Sequence, residues 1–246
     1  MRALLIGIDV ATLHAKVGAA RGTYLEGKVR LEESVLCTRS SPADTISQWL
    51  ESARDPVLLA IDAPLGWPAP LADSLASHQA GATLSTPPNE MFRRATDRFI
   101  QQKLSKTPLD VGADRIARTA HAALALLGVL RERLATPIPL AWSPEISEIT
   151  AIEVYPAATL VAHGIQSTGY KAPGQEAARK EILADLREWI SIGTREEAVP
   201  RAHADALDAV VCLLAAKDFL EGRAMPPVDL ASARREGWIW AAPKLA

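Results

Sequence analysis

The sequence predicts an α/β domain built on a mixed sheet, with helices against its faces. Two features predict it. Wholly apolar runs at residues 3–8 and 57–61 each stop at an acid, Asp9 and Asp62, as buried strands do when they end at the carboxyl edge of a sheet. Between them lie extended segments broken by turn residues and one helix with a start signal, so the first strand gains antiparallel neighbours before a parallel one.

After the first strand, residues 14–20 read as extended. A turn is expected at Arg21-Gly22, and residues 24–36 continue extended with a break at Gly27. Two or three strands joined by tight turns result. Ser41 can cap the next element and Pro42 suits the first helical position. Ile46, Trp49 and Leu50 then fall at helical spacing, and Asp55-Pro56 ends the helix. Residues 63–149 read as an insertion and helical region within the domain. Prolines 64, 68, 70, 87, 88 and 108 argue against regular sheet at its start, and large apolar residues are too few there for a separate core. Short helices are expected near residues 71–78 and 95–103, and a long one over 112–134. Residues 151–154 form a short strand carrying Glu153, and Pro156 opens a helix to residue 161. A loop with three glycines spans 164–174. Residues 175–190 are amphipathic, and 204–220 form an unusually apolar helix. Residues 222–246 are a C-terminal extension in which Trp238 and Trp240 alternate, as in an edge strand or a docked segment. The whole of residues 1–246 is read as one domain.

Composition bounds the function. At 246 residues the chain can bury a sizeable core without staples. Its two cysteines, Cys37 and Cys212, lie far apart, which rules out a disulfide framework and a thiolate zinc site. A reducing compartment and a cytoplasmic location fit. The first apolar run is too short for a signal peptide, and no stretch is long and apolar enough to span a membrane. A net charge of −2 provides no general attraction for phosphate, so any nucleic-acid surface must be a local patch.

The acids carry the chemistry. On parallel neighbouring strands Asp9 and Asp62 would emerge at one sheet edge. Two bare carboxylates that close repel, and a divalent cation offsets the repulsion. Glu153 lies on a third apolar segment. Asp205 and Asp208 are three residues apart, on one face of a helix that continues into Cys212, Ala215 and Ala216. Acids heading an apolar face need a partner, and a metal ion supplies one. Three of these acids have a structural alternative: a turn role for Asp62, a helix-dipole role for Asp205, and an arginine partner for Glu153.

The stretches IGIDVA, AIDAPLGWP, FRRATDRF, IEVYPAA and HADALDAVVCLLAA span nearly the whole chain. As a set they resemble the DUF429 family, predicted nucleases of the ribonuclease H-like superfamily. That resemblance implies three antiparallel strands, a helix, a fourth strand parallel to the first, and later αβα elements. It implies an acid on the first strand, matched by Asp9, another at the end of the fourth, matched by Asp62, and an acid pair on the last helix. Asp205 and Asp208 match that pair, which is similar to the one in Holliday-junction resolvases of the RuvC type. Glu153 matches less closely, as an extra ligand or a structural residue.

The implied reaction is phosphodiester hydrolysis in RNA or DNA with two Mg²⁺ or Mn²⁺ ions. Asp9 would bridge, Asp62 and Asp208 would complete one ion each, and Asp205 or Glu153 would assist. His203, two residues before Asp205, is a candidate for proton transfer or a helix cap. Lys16 is a candidate for phosphate contact. Arg93, Arg94 and Arg98, with Trp67 nearby in sequence, are candidates for holding a backbone and stacking a base. Arg94 and Asp97 resemble a family motif, and a local ion pair pinning the insertion is the alternative. Tyr170-Lys171 in the glycine-rich loop is a weaker candidate for substrate contact. Two other functions compete: a non-catalytic binding or adaptor protein on the same fold, and an ATP phosphotransferase of the actin-like fold, which ordinarily needs two copies of it. Oligomeric state stays open.

Overall fold

The computed structural model describes residues 1–112, 114–146 and 148–245. Among these residues six strands, β1 (Arg2–Asp9), β2 (Gly18–Leu25), β3 (Lys28–Leu36), β4 (Val57–Asp62), β5 (Ile149–Glu153) and β6 (Ile190–Ser191), form one sheet in the order β5-β4-β1-β2-β3-β6. β1, β2 and β3 are mutually antiparallel, whereas β4 runs parallel to β1 and β5 parallel to β4. This is the ribonuclease H-like arrangement that the resemblance implies. β6 adds a short parallel partner on the far side of β3.

The first hairpin turns later than expected. The chain reverses at Glu26 and Gly27, both with positive φ (47° and 83°). Arg21-Gly22 instead marks a register shift inside β2. Gly22 is needed there because a Cβ would stand 2.6 Å from the carbonyl oxygen of Arg30, so the glycine signals a close approach and not a turn. The segment before β2 contains a short 3-10 turn, His14–Lys16.

Helix α1 (Pro42–Glu51) starts as its sequence dictates, with Ser41 and Asp44 exchanging hydrogen bonds in a capping box. Its Ile46, Trp49 and Leu50 pack with Ala123, Leu127 and Leu130 of α5 (Asp114–Leu134) on one face of the sheet. Between β4 and α5 lie α2 (Ala69–Leu75), α3 (Pro88–Phe92) and α4 (Ala95–Leu104). The other face is covered by α6 (Pro156–Ala162), α7 (Glu176–Leu186) and above all α9 (Ala204–Leu220). A five-residue helix, α8 (Ala198–Ala202), leads into α9. Every residue of α9 from Ala206 to Leu220 is buried, as an all-round apolar helix requires.

The sequence gives little sign of α10 (Leu230–Glu236), a helix that Asp229 caps through the amides of Ala231 and Ser232. Beyond it Trp238, Ile239 and Trp240 are buried. The Trp240 amide donates to the Glu153 carbonyl at 2.9 Å, and the Trp240 ring meets Phe219 of α9 edge-on at 4.7 Å. Ile239 also forms an isolated parallel bridge with Glu153, so the segment is a docked extension that touches the sheet edge at β5 without becoming a full strand. Among the described residues no helix is long and apolar enough to cross a membrane.

Candidate metal centre

Strand register brings the first two acids together. Asp9 and Asp62 are directly paired across β1 and β4. Side chains alternate along a strand. Two residues before each acid, Gly7 and Ala60 lie on the face covered by α9, so both carboxylates share that face. The third acid arrives on α9. A Cβ on Gly7 would stand 2.0 Å from the Ala209 carbonyl, and one on Gly18, the β2 partner of Asp9, would stand 2.0 Å from the Asp205 carbonyl. These two glycines let the helix backbone rest on the strands, and Asp208 then reaches the strand ends.

Carboxylate oxygens of Asp9, Asp62 and Asp208 all lie within 4.8 Å of one another. Burial raises all three carboxyls above their ordinary range. For Asp9, Asp208 and Asp62 add to that rise. For Asp62, burial and then Asp208 push the value up to about 8. For Asp208, burial wins over two partners that act the other way, Lys171 and Tyr170. The Tyr170 hydroxyl donates to Asp208 Oδ1 at 2.7 Å, and Lys171 Nζ contacts Oδ2 at 2.6 Å. An all-oxygen set of three carboxylates suits a hard divalent cation such as Mg²⁺ or Mn²⁺. Such an ion also offsets the mutual repulsion of these carboxylates.

Glu153 departs from the expectation of a metal ligand. It reaches the same edge, but its register partner is Ile61, whose side chain belongs to the opposite face. There Arg94 takes both its oxygens, at 2.6 and 2.8 Å, and the Leu65 amide donates to it at 2.9 Å. Arg94 also grips Asp97 at 2.9 and 3.1 Å, and it is 1% exposed. Burial alone would lower the Arg94 pKa, but Glu153 and Asp97 outweigh it and raise the value. The structural alternatives weighed for Glu153 and Arg94 are thus the ones observed. Arg94 is no exposed contact for a nucleic-acid backbone.

The remaining candidates lie apart from the three acids. Asp205 opens α9 one turn earlier and raises the Asp9 carboxyl as the weakest of its charged neighbours, but it is not in the group of converging oxygens. His203 occupies the N-cap position of α9, exposed and making no side-chain cap bond. Lys16 is exposed on the 3-10 turn. Arg93 pairs with Asp110 at 2.8 Å, and Arg98 donates to the carbonyls of Arg93 and Asn89. Trp67 is half-buried beside Pro68, the N-cap residue of α2.

Asp9 and Asp62 border a cavity of about 400 Å³, with Lys106 and Leu109 from the insertion, Tyr155 before α6, and Lys171 on its walls. Tyr170 and Lys171 are the two residues whose place at the centre is least visible in the sequence. Their loop position signalled substrate contact, whereas only the fold reveals that both reach Asp208.

Sheet order and acid cluster together define the class: a ribonuclease H-like α/β protein with a three-carboxylate centre at the carboxyl edge of β1 and β4. The family model described as "Protein of unknown function (DUF429)" matches residues 7–231, and the chain belongs to that family. None of the curated proteins matches it in sequence. Among solved structures, T. thermophilus RuvC in complex with Holliday junction substrate is similar over 85% of this chain and 94% of that one, at 12% identity and a TM-score of 0.33.

Proposed function

We propose that this protein hydrolyses phosphodiester bonds in RNA or DNA, using Mg²⁺ or Mn²⁺ held by Asp9, Asp62 and Asp208. The observation that carries the reading is the convergence of three carboxylates from β1, β4 and α9 within 4.8 Å. Such a concentration of negative charge, largely withdrawn from water, is costly unless a cation joins it. Bound divalent ions supply charge stabilisation for the phosphate and a lowered pKa for an attacking water.

The chain's own residues do the rest. Asp9, Asp62 and Asp208 would each offer a carboxylate oxygen to the metal. The neighbouring cavity accepts a nucleotide-sized group, and Lys106 and Lys171 offer positive charge to its phosphate. Water adds to phosphorus and the ester P–O bond breaks, leaving a phosphomonoester and an alcohol. Asp205 and His203, at the mouth of α9, are auxiliary candidates for orienting the water. Arg93, Arg98, Lys16 and Trp67 are candidates for outer contacts to the chain of the substrate.

The test is a panel of labelled single-stranded, duplex and branched RNA and DNA substrates with Mn²⁺ or Mg²⁺. Metal-dependent cleavage of at least one substrate is expected, with loss of at least 100-fold in Asp9→Asn and Asp208→Asn. Cleavage that persists unchanged in both variants rejects the assignment.

A further inference from the structure

Both carboxylate oxygens of Asp208 already have a partner within the protein. Tyr170 occupies Oδ1 and Lys171 occupies Oδ2. The two neighbours differ in kind. Tyr170 is fully buried, whereas the Lys171 side chain is 62% exposed and only its ammonium meets the buried acid. Lys171 lines the same cavity as Asp9 and Asp62, so its charge lies on the open side of the cluster.

The lysine is held there by dedicated contacts. Arg179, buried in α7, donates from Nη1 to the carbonyls of Tyr170 at 2.7 Å and Ala172 at 3.4 Å, one on either side of Lys171. Its Nε and Nη2 donate to the carbonyls of Arg201 and Ala202 at 2.7 and 3.0 Å, immediately before the helix that carries Asp208. One guanidinium therefore ties the lysine loop to the base of α9.

We propose that Lys171 takes the place of a second divalent ion. Its ammonium acts as a tethered cation on the Asp208 side of the centre, and the three acids together hold a single divalent ion. The inference rests on reading the cluster as a metal-dependent nuclease centre. Charge supports it: three ionised carboxylates are neutralised by one divalent ion and one ammonium, whereas two divalent ions beside the lysine would leave an excess of positive charge. An ammonium has three donors. With one directed at Asp208, the others can meet a phosphate oxygen entering the cavity, as a point charge does.

Counting bound Mn²⁺ by equilibrium dialysis and electron paramagnetic resonance tests this on the full chain. Wild type should bind one ion, Lys171→Arg one, and Lys171→Met two, because the methionine keeps the exposed stem and frees an Asp208 oxygen. Thermal melting of each variant checks that the fold is retained. The same ion count in wild type and Lys171→Met, whether one or two, overturns the tethered cation while leaving the metal centre standing. No ion in either protein removes the metal centre itself, and the tethered cation with it.

Discussion

At Asp62 the protein keeps a carboxyl that burial and the neighbouring Asp208 push up to about 8. The unfolded chain ionises near its ordinary value of 3.8, so between those values the folded state binds the extra proton. The stabilisation that this proton represents is complete below the unfolded value and is lost as pH rises through about 8. In metal-free protein the melting temperature should therefore fall from pH 5 to pH 8.5. Mg²⁺ or Mn²⁺ should raise it more at pH 8.5 than at pH 6, since metal binding must release protons. A metal-induced shift that is equal at both pH values, or larger at pH 6, would contradict the linkage. Asp62→Asn separates stability from function: removing one charge from the cluster should raise the metal-free melting temperature at pH 8.5 and remove most of the metal-induced gain. Melting curves with and without Mn²⁺ read both effects.

Helix α9 and the strands beneath it act as one element of the site, because Gly7 and Gly18 seat the helix backbone directly on the sheet. In Gly7→Ala the added carbon would stand 2.0 Å from the Ala209 carbonyl and 2.9 Å from Cys212 Cβ. Neither is a flexible tip, so the helix must move. Overpacking of this kind costs about 1–3 kcal/mol, and the displacement carries Asp208 away from Asp9. A lower denaturant midpoint together with weakened Mn²⁺ binding is expected; an unchanged midpoint would show that the contact yields cheaply. The same element marks how far the sequence could be read. Asp9 and Asp62 were legible because an apolar strand that ends in an acid places it at the sheet edge. Asp208 was legible because an acid cannot head a buried helix face without a partner. Glu153 misled because edge and face are separate questions: its face depends on pairing with Ile61, and register is a long-range property that local pattern does not encode. Tyr170 and Lys171 stayed obscure for a related reason, since their partner lies 38 residues further along the chain from Tyr170.

Across the whole molecule, Arg94 joins its own helix to two distant segments. It binds Glu153 on β5, Asp97 on its own helix α4, and the backbone carbonyl of Glu236 at the end of α10. Glu236 in turn accepts from the amides of Ala69 and Ala95, so the insertion and the tail are stitched to each other and to the sheet. Arg94→Ala would leave Glu153 and Asp97 buried without their partner, a loss of about 3–5 kcal/mol. Arg94→Lys should recover little of it, because one ammonium cannot reproduce paired contacts to two carboxylates. Chemical denaturation of both variants checks this, and full stability in either would mean that water replaces the guanidinium. The stitching also bears on how the protein is made. Asp9 and Asp62 leave the ribosome well before Asp208 and the segment that closes over Glu153. A nascent chain paused before α9 holds two acids and no third, so the centre stays incomplete until that helix has emerged and docked.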